Sequence, residues 1–114
     1  MKKRLAKLIA TGLLILVPTI CQAEPVRAYM SGNDLFDTCS VASDRTFLQG
    51  TCDGYIVGAI DAMQDSKTTC VPAGVVIKQL RDVVVQYLQA HPEERQYTAA
   101  GIIREAISEA FPCR

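Results

Sequence analysis

Apolar positions return with a helical period over most of the chain beyond residue 30, and polar residues fill the positions between them. The clearest case runs from Phe47 to Met63. There Phe47, Leu48, Tyr55, Ile56, Ile60 and Met63 mark one side, with Cys52 and Ala59 filling it, which is a helical and not a strand period. Gly50, Gly54 and Gly58 recur every fourth residue with Ala62 next in line, so they form one smooth stripe on that helix. An interior glycine costs about 1 kcal/mol relative to alanine. Three in register predict close approach of another backbone along the stripe, with a partner surface as the second reading. A membrane-spanning GxxxG helix is the competing pattern, but Cys52, Asp53 and Asp61 make the segment too polar to lie in lipid. It is read as the central helix of a small bundle.

The flanking segments carry weaker versions of the same pattern. Glu24 to Met30 has no period and reads as a loose arm. Ser31 or Asn33 can cap a short helix, with Asp34 and Asp37 placed well against its N-terminal dipole and Leu35, Phe36 and Cys39 on its apolar side. Ser40 to Asp44 is a polar break in which Ser43 or Asp44 can cap the central helix. Gln64 to Thr69 is a polar loop, and Pro72 and Gly74 separate it from a third helix. That helix, Val76 to Ala90, has the apolar set Val76, Leu80, Val83, Val84, Tyr87 and Leu88. Arg81 and Asp82 lie on its polar side. It should end at His91, because Pro92 disfavours helical geometry in the residue before it. A charged connector from Pro92 to Gln96 leads to Thr98, an N-cap for a last helix from Ala99 to Ala110. Its face is Ile102, Ile103, Ala106, Ile107 and Phe111, and Pro112 stops it. The expected fold is all-α: a small disulfide-stapled four-helix bundle, with room for short extra turns.

The N-terminus changes how the rest is counted. Met1 to Lys7 is basic, Leu8 to Ile20 is apolar and Cys21-Gln22-Ala23 follows, the three regions of a cleavable signal peptide. The apolar run is shorter than the roughly 20 residues a spanning helix needs. Cys21 as a lipidated cysteine is a weaker reading, since Ile20 stands where lipoproteins carry a small residue. Removing residues 1–23 leaves a single domain of 91 residues, 24–114, with 8 basic and 12 acidic side chains, a net charge of −4. No basic patch suggests nucleic acid, and no second membrane segment is expected after cleavage.

A core of this size is thin and calls for extra restraint. Four cysteines remain in the mature chain, Cys39, Cys52, Cys70 and Cys113, and an even count in an exported protein reads as two disulfides. Three connectivities are available. Cys39 near the end of the first helix and Cys52 two turns into the next would lie side by side in an antiparallel hairpin. Cys70 before the third helix and Cys113 after the fourth suit a bridge from loop to C-terminus. A zinc site is disfavoured by the absence of close cysteine pairs and by a single histidine. His91, at a helix end, reads as a capping or dipole-compensating residue before it reads as a base. With no free thiol, no serine in a nucleophile-elbow context and Asp53, Asp61 and Asp65 on an apparently solvated edge, neither an active site nor a cofactor is expected.

Taken together, Phe47-x-x-Gly50-x-Cys52-x-Gly54-Tyr55-Ile56-x-Gly58, Cys70-x-Pro72-x-Gly74-Val75, Gln79-Leu80-x-Asp82-Val83-Val84-x-x-Tyr87-Leu88-x-x-His91-Pro92-Glu93 and Ala110-Phe111-Pro112-Cys113 resemble the Rap/Tai family of type VI secretion immunity proteins. The resemblance spans nearly all of the mature chain. It implies a small periplasmic helical protein that binds and blocks a peptidoglycan-hydrolase toxin, a papain-like amidase with a Cys-His pair. Members are often dimeric, so a homodimer is a further expectation. Val76 stands where the pattern has a helix-capping Thr, which leaves the start of the third helix poorly marked. The shared motifs are mostly glycines, cysteines and core positions, so they do not designate contact residues. The two polar loops are the expected docking elements: Asp65, Ser66 and Lys67 in one, His91, Glu93, Glu94 and Arg95 in the other. Their alternative is plain solvated connectors. The alternative function is a periplasmic disulfide-bonded helical chaperone or accessory binding protein. Export should give a mature N-terminus at Glu24, and the intact mass of the periplasmic protein checks this; a lipid-bearing Cys21 would contradict it.

Overall fold

A computed structural model describes residues 29–41 and 46–114 of the chain. The expected signal peptide, most of the expected arm, and the expected caps Ser43 and Asp44 lie outside those residues. Ser31 opens helix α1 (Gly32–Cys39) with a full capping box. Its hydroxyl accepts from the Asp34 backbone N–H at 3.2 Å, while its own backbone N–H donates to the Asp34 carboxylate at 2.9 Å. Two orphan donors are thus satisfied reciprocally. The Ser31 hydroxyl also donates to the Asp34 carboxylate at 2.6 Å, and this bond first, then the one from the Ser31 backbone N–H, holds that carboxyl below the usual carboxylate range.

Helix α2 (Thr46–Asp65) is the longest element, and α3 (Ile77–Ala90), a single 3₁₀ turn (Pro92–Glu94) and α4 (Ala99–Ala110) complete the bundle. Thr98 caps α4 through its hydroxyl, which accepts from Gly101 N–H at 3.2 Å. Val76 caps α3 with no side-chain bond, and His91 ends it, as Pro92 requires. The 3₁₀ turn is a short extra turn within the charged connector; Pro92 supplies the fixed φ of a first helical position.

The core is built from the predicted faces of all four helices. Leu35, Ile56, Val84, Leu88, Ile103 and Ile107 are fully buried, each worth roughly 1.5–3 kcal/mol of transfer free energy. Cys52 is buried with them and joins Cys39 across a Cα separation of 5.2 Å. Cys70 joins Cys113 at 5.1 Å. Both separations are ordinary for a bridge. On the loop-entropy model the 13-residue and 43-residue closures contribute about 3 and 4 kcal/mol.

Four expectations need correction. Phe47 and Val76 are 81% and 60% exposed and not part of the core; each stands at the start of its helix, in its first turn or at its cap. Asp53 is not on a solvated edge: the Arg81 guanidinium grips both its oxygens at 2.8 and 2.9 Å, tying α2 to α3. Met30 is not part of a loose arm. It is buried, and its carbonyl accepts from Ala99 N–H at 3.0 Å. Finally, no backbone approaches the glycine stripe. Gly50, Gly54 and Gly58 are exposed, and a Cβ built on any of them meets nothing within 4 Å.

The close approach occurs instead at Gly32. A Cβ there would lie 2.8 Å from both Cα and O of Arg95 and would run into the Ile102 side chain. The backbone explains the crowding: Gly32 N–H donates to Tyr97 O at 2.9 Å and Asn33 N–H to Arg95 O at 2.8 Å. Gly32→Ala should therefore cost about 1–3 kcal/mol by overpacking. Alanine at Gly50, Gly54 or Gly58 should instead stabilise the isolated chain by about 0.5–1 kcal/mol each. Chemical denaturation of the four single variants checks the opposite signs.

Candidate functional site

The end of α2 turns out of its helix through a Schellman arrangement. Thr68 N–H donates to Met63 O and Lys67 N–H to Gln64 O, both at 3.0 Å, with Lys67 in the left-handed region at φ 55°. The Ser66 hydroxyl donates to Met63 O at 3.0 Å and reinforces the turn. Asp65, Ser66 and Lys67 are exposed, while Thr69 just beyond them is buried. This loop is rigid in its backbone and free at its charged tips.

The second loop is different. Arg95 does not extend into solvent: its Nε donates to Leu88 O at 2.7 Å, and its guanidinium sits 3.7 Å above the Phe36 ring. Stacked this way, it joins α1 to the end of α3. Glu94 accepts a 2.8 Å hydrogen bond from the Tyr87 hydroxyl. The His91 ring stacks on Tyr87 at 4.1 Å between centroids, and its Nδ1–H donates to Tyr87 O at 2.9 Å. Glu93 alone of the four named residues in this loop is exposed. No hydrogen bond, ion pair or shared cavity joins the two loops among the described residues.

Beside the second loop lies a groove of about 380 Å³ between α3 and α4, which sequence reasoning did not find. Val83, Ala90, Ala106 and Ala110 form its apolar surface, and Tyr87, His91 and Glu109 form its polar side. The signal present in the sequence was the alanine set of α4, which leaves depth where larger residues would fill it. Burial first, then the bond to Glu94 and the charges of Glu94, Glu105 and Glu109, push the Tyr87 hydroxyl up to about 12.

Across this whole region, from the cap of α1 to the second disulfide, the family model of the Rap1a immunity proteins matches residues 31–113. The chain belongs to the Rap1a immunity protein family. Comparison with curated proteins yields no match.

Membership in an immunity family implies binding of a toxin partner protein, so the surface that matters here is a protein-docking one. No group of His, Cys, Asp and Glu residues able to hold a metal ion occurs among the described residues. None of their helices is long and apolar enough to cross a membrane. In this Rap1a protein the exposed polar tips are Asp65, Ser66, Lys67 and Glu93. His91, Glu94 and Arg95 are engaged in holding α3, its following turn and α1 together.

The raised Tyr87 value sets a pH limit. The folded chain favours the neutral phenol, so this contribution is complete below the unfolded value near pH 10. It is lost as pH rises towards 12. Alkaline titration followed at 295 nm should show one phenol ionising near pH 12 that vanishes in Tyr87→Phe. In Glu94→Gln it should move down only partway, since burial remains.

Proposed function

We propose that the chain is a periplasmic immunity protein that binds and inhibits a peptidoglycan-amidase toxin of a type VI secretion system. The observation that carries this reading is the match to the Rap1a immunity family over residues 31–113, to which the motif resemblance adds the class of toxin. The physical case is pre-organisation. Two disulfides, a capped bundle and a Schellman-closed loop are ordered before docking. Little conformational entropy is then lost on binding, and a modest interface suffices for high affinity. The exposed loop tips Asp65, Ser66, Lys67 and Glu93 are the docking groups of this reading. Arg95 acts through the fold.

The test is titration of a papain-like peptidoglycan amidase, the product of the neighbouring reading frame where that encodes one, with the mature protein, alongside thermal melts. Wild type should inhibit stoichiometrically and hydrolyse no peptidoglycan itself. Asp65→Ala, Lys67→Ala and Glu93→Ala should each weaken inhibition about tenfold, roughly 1.4 kcal/mol, with melting nearly unchanged. Arg95→Ala should lower the melting temperature instead. Unchanged inhibition in all three tip variants would move the interface to a helix face. Lack of inhibition by wild type, with broad capture of unfolded proteins, would favour a chaperone.

A further inference from the structure

The α3–α4 groove has a chemistry of its own. Three alanines and Val83 make a surface suited to a narrow aliphatic stem, and Tyr87 and His91, stacked on each other at 4.1 Å between ring centroids, line it beside them. Glu109 lines the groove, and Glu94 and Glu105 stand close enough to act on the Tyr87 hydroxyl. Compensating cations are scarce. Arg95 is committed to Leu88 O and the Phe36 ring. Arg104 meets Glu105 only at 3.6 Å, with both side chains more than half exposed. Among the described residues neither Glu94 nor Glu109 has an ion-pair partner. His91 places the groove directly beside the proposed docking loop, so one partner surface can span both.

The geometry points to a socket for a single arginine side chain of the bound toxin, its stem on Ala90, Ala106 and Ala110 and its guanidinium between the Tyr87–His91 face and Glu109. Arginine suits this better than lysine. Its plane stacks on a ring while its fork pairs with a carboxylate through two bonds, whereas an ammonium meets either one only as a point charge, without planar stacking or a bidentate fork. The stem buries apolar surface while the head stays polar. The volume of about 380 Å³ lies near the lower end for small-ligand pockets, enough for one side chain and its flanks. That the arginine belongs to a toxin rests on the proposed function; the preference of the groove for arginine does not.

The test separates the two. The ¹⁵N-labelled mature protein is titrated with acetyl-Leu-Arg-Leu-amide, with its citrulline analogue and with its glutamate counterpart, each up to about 10 mM, a range that reads weak affinities. The arginine peptide should give saturable shifts centred on Val83, Tyr87, His91 and Ala110. Its affinity should fall at least tenfold on changing arginine to citrulline, in Glu109→Gln, and in Ala110→Trp, which fills the groove from an exposed position. The amidase titration should show the same tenfold loss in Glu109→Gln with melting unchanged. Absent shifts, shifts centred elsewhere, or equal binding of arginine and citrulline peptides would overturn the socket. Peptide binding with undiminished amidase inhibition in Glu109→Gln would overturn the toxin arginine as its occupant. Failure of wild type to inhibit, with peptide selectivity intact, would overturn the proposed function and leave the arginine preference standing.

Discussion

The bundle depends on a backbone seam in which the chain segment entering α1 lies against the segment entering α4. Met30 O accepts from Ala99 N–H, Gly32 N–H donates to Tyr97 O and Asn33 N–H to Arg95 O, at 2.8–3.0 Å. These are backbone groups at helix starts, where donors lack intrahelical partners and burial without one is costly. The seam satisfies them by pairing two helix entries with each other. It demands a residue without a side chain at position 32, and it also sets the place of Arg95. With the Arg95 carbonyl held by Asn33, its guanidinium reaches Phe36 and Leu88 and closes the end of α3 over α1. Side-chain packing then follows: Met30, Ala99, Ile102 and Ile103 are buried around the joint.

From that seam the two candidate binding elements acquire different characters. The loop after α2 is fixed by its own backbone turn, so its charged tips stay exposed and can be exchanged at little cost to the fold. The connector after α3 is woven into the seam and into Tyr87, so most of its charges serve structure. The groove between α3 and α4 is a by-product of alanines at Ala90, Ala106 and Ala110 beside a large aromatic. A helix pair packed through small residues on one side of Tyr87 leaves the other side open.

Much of the architecture was legible because it is local. The helical period, the caps Ser31 and Thr98, the stop at His91-Pro92 and the pairing of Cys39 with Cys52 each follow from residues close in sequence. The pairing of Cys70 with Cys113 was legible because the other two cysteines had a hairpin to share. What escaped was long-range. Gly32 has no neighbour in sequence that demands a glycine; the demand comes from Arg95, far along the chain. The stripe of Gly50, Gly54 and Gly58 showed a real pattern but not which way it faces, since a helix with apolar residues on several sides does not declare its core side by period alone. Asp53 and Arg81 each read as solvated because a charged residue on a helix shows no partner until the helices are paired. The exposed tips proposed for docking were the least legible, because exposure of a loop charge depends on what else that charge can reach.

The Cys70–Cys113 bridge has a consequence beyond stability. It makes a covalent ring of everything from the end of the α2 loop to the last turn of the chain, α3, the 3₁₀ turn and α4 included. Within that ring Glu93, Gln96 and Tyr97 are exposed, although the backbone beside them is tied down through Arg95 O and Tyr97 O. One cut anywhere between Val71 and Pro112 opens the ring without releasing a fragment. Both pieces stay tethered through Cys70–Cys113, and a cut between α3 and α4 leaves the two helices on opposite arms. A chain closed this way sheds a fragment of that ring only after a second cut or after reduction of the bridge, so the loss takes two events in succession.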